Sequence, residues 1–204
     1  MAGPAQIDDD ATVMAAFVET RDRKKFEVLF QRHKRAMVAY AGRYVRSTAR
    51  AEELAQEIFV RVYTTKRYEP GATFKSWLYR VATNVCLNEL RRSEHRQVLE
   101  SLEGRDGEGG ALTRVADGGA SPEQQLAERQ LARGLEAALA SLPEKQRAAF
   151  VMARFEAMSH EDIAGALSTT IPAVKSLIHR ALETMRAKAT ALLSEGGEER
   201  EVAS

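Results

Sequence analysis

FKSWLYRVATNVCLNELRR, residues 74–92, is the stretch on which the reading of the whole chain turns. Phe74, Trp77, Leu78, Val81, Ala82 and Val85 recur at steps of three and four, the period of one face of an α-helix. Lys75, Tyr79, Arg80, Asn84, Asn88, Arg91 and Arg92 lie mostly off that stripe. The spacing predicts an amphipathic helix with an apolar side for a core and a polar, basic side facing away. Cations placed this way can hold phosphates, and planar groups can stack on unstacked bases. The same spacing also suits simple packing, with Trp77 in a core and the arginines in water.

Working outward, the flanking sequence is helical as well. Phe26, Leu29, Phe30, His33, Met37, Tyr40, Ala41 and Tyr44 trace a helix before it, and Leu54, Ile58, Phe59 and Val62 mark another from about Thr48. Tyr68, Glu69, Pro70 and Gly71 break the pattern as a turn does. Three such helices can bury one another's stripes in a small all-α domain. Residues 93–120 then lose the periodicity and carry Gly104, Gly107, Gly109, Gly110, Gly118 and Gly119 among acidic side chains, which reads as a flexible linker.

Order is predicted to resume at Ser121-Pro122-Glu123-Gln124, a capping sequence with proline at the first helical position. Leu126, Leu131, Leu135, Ala138 and Leu139 follow as a stripe, and a further helix is expected from about Pro143 to Ala157 with Phe150, Val151 and Phe155 inward. Ile163, Ala164 and Leu167 pattern a short helix capped by Ser159, with Asp162 three residues on. After a turn at Ser168 to Thr170, Val174, Leu177, Ile178, Ala181, Leu182 and Met185 keep the helical period. The small Ala164 lets the second helix cross the first closely, as a helix-turn-helix requires, although a plain helical hairpin has a similar pattern.

The expected fold is therefore all-α, with two small helical domains joined by a flexible, acidic, Gly-rich linker and a helix-turn-helix in the second. The divisions are residues 1–25 as an N-terminal tail and start of the first helix, 26–92, a linker 93–120, 121–193, and an acidic tail 194–204. Charge follows these divisions although the formal net charge is only +1. Residues 26–92 hold 13 Lys and Arg against 6 Asp and Glu, and residues 93–125 hold 3 against 7. Both helical blocks are suited to a polyanion. A single cysteine, Cys86, forms no internal disulfide, and the N-terminus lacks a secretory signal, so the expected setting is the cytoplasm.

In this order the elements resemble an extracytoplasmic-function (ECF) sigma factor of the bacterial sigma-70 family, from about Phe26 to Lys188. AEELAQEIFVRVY, residues 51–63, looks like the family's region 2.2; residues 74–92 look like regions 2.3 and 2.4; LPEKQRAAFVMARFEAMSHEDIAGALSTTIPAVKSLIHRALETMR, residues 142–186, looks like region 4. The resemblance implies a promoter-specificity subunit that directs RNA polymerase core to its promoters and opens the −10 element. The regulon would be one of stress or envelope response. Partners would be the polymerase clamp and flap, promoter DNA that is duplex at −35 and single-stranded at −10, and an anti-sigma factor.

Carried onto this sequence, the polymerase contact falls on Glu53, Leu54, Gln56, Glu57 and Phe59. The −10 contacts fall on Lys66, Arg67 and Tyr68 in the loop that captures a flipped base, on Trp77 and Asn84 at the strand separation, and on Lys75, Arg80, Arg91 and Arg92 for phosphates. The −35 contacts fall on Arg147, Thr170, Pro172, Ala173, Lys175, Ser176, His179 and Arg180. Ser168 stands where the family usually has glycine, Ala173 where it has threonine, and Leu177 and Leu182 where arginines are common. The linker acids Glu100, Glu103, Asp106, Glu108 and Asp117 would imitate nucleic acid in the polymerase cleft, or serve only solubility.

No enzyme is expected. His33, His95, His160 and His179 have no ligand-spaced partners, and neither a phosphate loop nor a nucleophile elbow is present. His160-Glu161-Asp162 cannot all face one ion, so neither metal nor cofactor is expected. The alternatives are a stand-alone helix-turn-helix regulator that binds duplex operators, for which residues 51–92 have no use, and a helical adaptor that binds only proteins.

Overall fold

A computed structural model describes residues 9–69, 73–102 and 122–202, and among them all regular structure is helical. The order is α1 (Asp9–Thr20), α2 (Arg23–Ala41), α3 (Thr48–Thr64), α4 (Phe74–Leu102), α5 (Pro122–Ala140), α6 (Glu144–Arg154), α7 (His160–Ala166) and α8 (Ile171–Val202). Among the described residues no helix is long and apolar enough to cross a membrane, and no group of three or more His, Cys, Asp or Glu is placed to hold a metal.

In the N-terminal unit α2 packs between α1 and α3, and α3 packs on α4. Leu29, Met37, Tyr40, Ile58, Val62, Leu78 and Ala82 are fully buried there. Asp22 caps α2 by accepting from the Lys24 amide at 2.9 Å, and Ser47 caps α3 through the Arg50 amide at 3.3 Å. Helix α1 lies in the stretch read as an N-terminal tail and the start of the first helix, and it is a separate helix of its own. Met14 and Phe17 are fully buried and bring it into the core. Asp10 ties it to α2 through Arg32 and His33, at 2.5 and 2.8 Å. The Asp10 carboxyl is partly buried, which raises its pKa, but the hydrogen bonds from Arg32 and His33 outweigh this and hold it below its ordinary value.

Helix α4 continues well past Arg92 into the stretch read as linker. The glycines on which the linker reading rests begin only at Gly104, past the end of that helix. The glycines from Gly104 to Gly119, the acids Glu103, Asp106, Glu108 and Asp117, and the Ser121 cap lie outside the described residues.

In the C-terminal unit α8 packs on α5, α6 and α7. It runs to Val202, through most of the stretch read as an acidic tail. Helix α6 ends at Arg154, and Phe155, expected inward, is 46% exposed in the connector to α7. Ser159 caps α7 as expected, its hydroxyl accepting from the Asp162 amide at 3.0 Å. In the α7–α8 turn Ser168 has φ 50°, the left-handed region that favours glycine. Ser168→Gly is expected to stabilise the chain by about 1 kcal/mol through relief of that conformation, less the added freedom of the unfolded glycine. A melting temperature equal to or below that of the parent would show that the turn carries no such strain.

Candidate nucleic-acid interface

Helix α3 of the N-terminal unit presents an outward polar face. Glu53 and Gln56 are exposed on it, Glu57 is half-buried, and Val60 is 59% exposed. Glu53 pairs with Arg50 at 2.6 Å and Glu57 with Arg61 at 2.7 Å. Leu54 and Phe59, assigned to the same contact from the sequence, are 1% and 5% exposed and belong to the core beneath that face. Phe59 sits edge-on to Phe30 with ring centroids 4.8 Å apart. The sequence reading missed Val60, whose signal is its spacing of four from Gln56 and three from the half-exposed Tyr63.

The loop after α3 carries Lys66 and Arg67, both exposed. Tyr68 is half-buried and meets Trp77 edge-on at 5.2 Å, while Trp77 tilts against Phe74 at 5.9 Å. Trp77 is thus partly core and partly accessible, with the loop tyrosine as its neighbour. Arg21 braces the end of α3, donating to the carbonyls of Tyr63 at 3.1 Å and Thr65 at 2.6 Å. A cation there satisfies carbonyls that the helix end leaves open. Nothing in the periodicity of residues 1–25 points to Arg21, because its partners are about forty residues away.

On α4 the division into an apolar and a polar side holds only in part. Asn84 and Arg92 are exposed as expected, but Ser76, Tyr79 and Thr83 are buried at 2%, 1% and 3%. For Ser76 and Tyr79 the cover comes in part from the C-terminal unit, whose α7 packs on α4, whereas Thr83 is covered from α2, where it meets the Tyr40 hydroxyl. Lys75 Nζ donates to the Glu156 carbonyl at 2.6 Å, and Arg80 Nε and Nη2 both donate to the Gly165 carbonyl, Nε at 3.1 Å. Arg91 makes a two-pronged contact with the Glu144 carboxylate at 2.9 and 2.7 Å. Thr73 donates to the Asp162 carboxylate at 2.6 Å, Ser76 to the Asp162 carbonyl at 2.7 Å, and the Tyr79 hydroxyl to the Glu156 carboxylate. Burial and the Glu156 carboxylate together push the Tyr79 hydroxyl far above its ordinary range.

A second polar tie crosses the core side. Glu89, 4% exposed, accepts from Arg50 Nε at 2.9 Å and Nη2 at 2.6 Å, fastening α3 to α4. Nearby, the Tyr40 hydroxyl bonds those of Tyr44 and Thr83 at 2.9 and 2.8 Å, so these buried polar groups satisfy one another. Cys86 is fully buried, which pushes its thiol up to about 12 and keeps it protonated and unreactive.

In the C-terminal unit Val174 and Ala181 are fully buried, and this fixes which side of α8 faces out. Thr170, Pro172, Lys175, Ser176, His179 and Arg180 are exposed, and Ala173 is half-buried. The structure thus brings Lys175, Ser176, His179 and Arg180 onto one face at the start of the second helix of a helix-turn-helix. His179 lies 3.4 Å from Glu183 on the next turn. Arg147 does not join them. It is 6% exposed, with its guanidinium 4.9 Å above the Tyr44 ring and Nη2 donating to the Arg43 carbonyl.

Comparisons with known proteins bear on this arrangement. The family model for sigma-70 region 2 matches residues 29–96, and that for sigma-70 region 4 matches residues 132–185. The ECF RNA polymerase sigma factor SigE of Mycolicibacterium smegmatis is 34% identical over 182 residues, 87% of this chain and 68% of that protein. The ECF RNA polymerase sigma-E factor of Haemophilus influenzae is 29% identical over 192 residues, covering 92% of this chain and 98% of its own. Among solved structures, CnrH in complex with the cytosolic domain of CnrY matches with TM-score 0.63 and 22% identity, over 92% of this chain and 99% of that one. The sigma factor RpoE, in complex with the anti-sigma factor NepR from Bartonella quintana, matches with TM-score 0.61 and 24% identity, over 84% and 98%. At these identities the two structures establish the fold.

Proposed function

The chain belongs to the ECF sigma factors of the sigma-70 family, non-enzymatic factors that initiate transcription with RNA polymerase, and on that premise we propose how its surfaces divide the work. The α3 face of Glu53, Gln56, Glu57 and Val60 takes the polymerase clamp, with Leu54 and Phe59 as the buried support that holds it flat. The loop residues Lys66, Arg67 and Tyr68, with Trp77 and Asn84, open the −10 element. Lys75, Arg80, Arg91 and Arg92 hold its phosphates. The exposed row on α8, from Thr170 to Arg180, reads the −35 element as duplex, and the C-terminal unit rests on the polymerase flap.

The observation that carries this reading is the pairing of two separated surfaces. A loop with two exposed cations lies beside a partly accessible tryptophan, and a separate helix presents Lys175, His179 and Arg180 outward. Opening a promoter costs a few kcal/mol for each unstacked base, and a pocket with stacking partners can repay it. Reading a duplex needs a helix whose first turns reach base edges. A stand-alone duplex reader has no use for the first surface.

The relatives CnrH and RpoE are seen with CnrY and NepR respectively. By analogy, an anti-sigma factor holds this chain inactive until a stress or envelope signal releases it. Its place of work is that of the polymerase, the cytoplasm. The direct test adds the purified chain to bacterial core polymerase on a pool of genomic promoter fragments and reads run-off transcripts. Discrete start sites that depend on the chain are expected. Duplex binding without polymerase, together with no transcript and no core binding, would instead identify a stand-alone regulator.

A further inference from the structure

We propose that Arg21, at the junction of α1 and α2, is a positioning residue for the loop assigned to base capture at −10. The inference rests on the reading of Lys66, Arg67 and Tyr68 as that loop and adds what sets its posture. Arg21 Nη1 donates to the Tyr63 carbonyl at 3.1 Å, and Nη2 donates to the Thr65 carbonyl at 2.6 Å. These two residues flank Thr64, the last of α3, where the helix no longer supplies partners for its own carbonyls. The two donors belong to one rigid fork, so a single guanidinium fixes the direction in which the chain leaves the helix.

Side chains add to the grip. The Tyr63 ring meets Phe17 of α1 and Phe26 of α2, with centroids 5.5 and 5.0 Å apart, and the Arg21 guanidinium lies 5.4 Å from the centre of the Phe17 ring. Further along, the Thr65 hydroxyl donates to the Arg67 carbonyl at 3.4 Å, and Tyr68 meets Trp77 at 5.2 Å. Lys66 and Arg67 are thus carried between two anchors, Arg21 on one side and Trp77 on the other. A loop held in this way loses less conformational freedom when it closes on a base, which leaves more of the contact energy to offset unstacking.

The backbone of Arg21 points the same way. Its φ is 56°, the left-handed region that favours glycine, and its amide donates to the Phe17 carbonyl at 2.8 Å to close α1. A turn that needed only this conformation would be served better by glycine. What arginine adds at the position is the fork on Tyr63 and Thr65. The residue is exposed and has no place in the apolar core, so loop posture can be separated from folding.

The test uses the full chain with core polymerase and a fork-junction DNA whose single-stranded −10 segment carries one abasic site, moved base by base. Arg21→Gly keeps the left-handed turn and removes the fork, while Arg21→Lys keeps the charge but offers one ammonium in place of two fixed donors. Both variants are expected to bind core as the parent does and to melt within about three degrees of it. Parent holoenzyme is expected to lose fork affinity where the abasic site replaces the captured base. Both variants are expected to bind the intact fork about three- to tenfold more weakly, and to lose less than the parent at that abasic site, because a misplaced loop has less of the base contact to forfeit.

Variants with the same abasic penalty as the parent would overturn the proposal, whatever their overall affinity. If Arg21→Gly weakened every fork equally and lowered the salt slope by about one, with Arg21→Lys unaffected, Arg21 would be a phosphate contact and the proposal would fall. Loss of folding or of core binding in both variants would also overturn it, by making Arg21 a residue of the fold. A parent indifferent to abasic sites throughout the segment would remove the assignment of the loop, and its positioning residue with it. That last outcome is read on the parent alone, which distinguishes it from a failure of the variants.

Discussion

Glu89→Ala is expected to lower the unfolding free energy by about 2–4 kcal/mol, measured as a fall in the urea midpoint at unchanged slope. Glu89 is buried and accepts two hydrogen bonds from one guanidinium, the strongest geometry open to a carboxylate. Its loss leaves Arg50 with the exposed Glu53, at 2.6 Å, as its remaining carboxylate among the described residues. Removing one member of a buried pair costs about 3–5 kcal/mol when the other cannot reach water. Arg50 is about a third exposed, so water recovers part of that cost. Glu89→Gln keeps the shape and one acceptor and is expected to cost about half as much. The pair joins the helix assigned to polymerase and the helix assigned to strand opening, so the alanine variant should also lose open complexes beyond its loss of folded protein. A midpoint shift worth less than about 0.5 kcal/mol would mean that the pair is solvated and idle.

Arg147→Met is expected to move stability and DNA binding in opposite directions. The Arg147 guanidinium is buried, one of its nitrogens finds no hydrogen-bond partner, and burial draws its pKa below the ordinary value. A methionine of similar length keeps the packing against Tyr44 and removes the cost of burying charge. Such replacements are neutral or stabilising by about 1–4 kcal/mol, and the lost bond to the Arg43 carbonyl places this one near the low end. Melting should therefore rise by a few degrees. If Arg147 holds a −35 phosphate once the units part, the same variant weakens duplex binding in the holoenzyme by about fivefold or more and flattens its salt dependence. A stabilised chain with unchanged duplex binding would confine Arg147 to the closed state.

Which features were legible in the sequence follows from the range over which each is determined. The Ser159 cap, the short α7 and the outward side of α8 rest on residues within one or two turns of each other, and local period and capping chemistry suffice to read them. The core stripe of α4 was legible for the same reason. Tyr79 was not: its hydroxyl reads as polar in the sequence, and only Glu156 from the other unit makes its burial affordable. Arg147 reads as a free cation until Tyr44 and the Arg43 carbonyl are placed beside it. Leu54 and Phe59 lie on the stripe that the period assigns to the core, and they entered the polymerase contact only because a motif names a run of residues without separating its buried members from its exposed ones; Phe59 against Phe30 shows the buried side. Helix α1 escaped notice because its anchors, Met14 and Phe17, are few and its closing contacts run to Arg32 and His33 on α2.

The burial of α4 on two opposite sides has a consequence for how this sequence can change over generations. Leu78, Ala82 and Val85 must fit α2 and α3, while Lys75, Ser76, Tyr79 and Arg80 meet the C-terminal unit and, under the proposed reading, give up part of those contacts to DNA. A substitution at Arg80 is thus judged twice, by a carbonyl in one state and by a phosphate in the other. In a saturation library selected for transcription, such positions should tolerate fewer replacements than an exposed arginine such as Arg92. Drift in the promoter contacts of this helix is then tied to compensating drift in α7, so two distant segments of the chain are bound to evolve together.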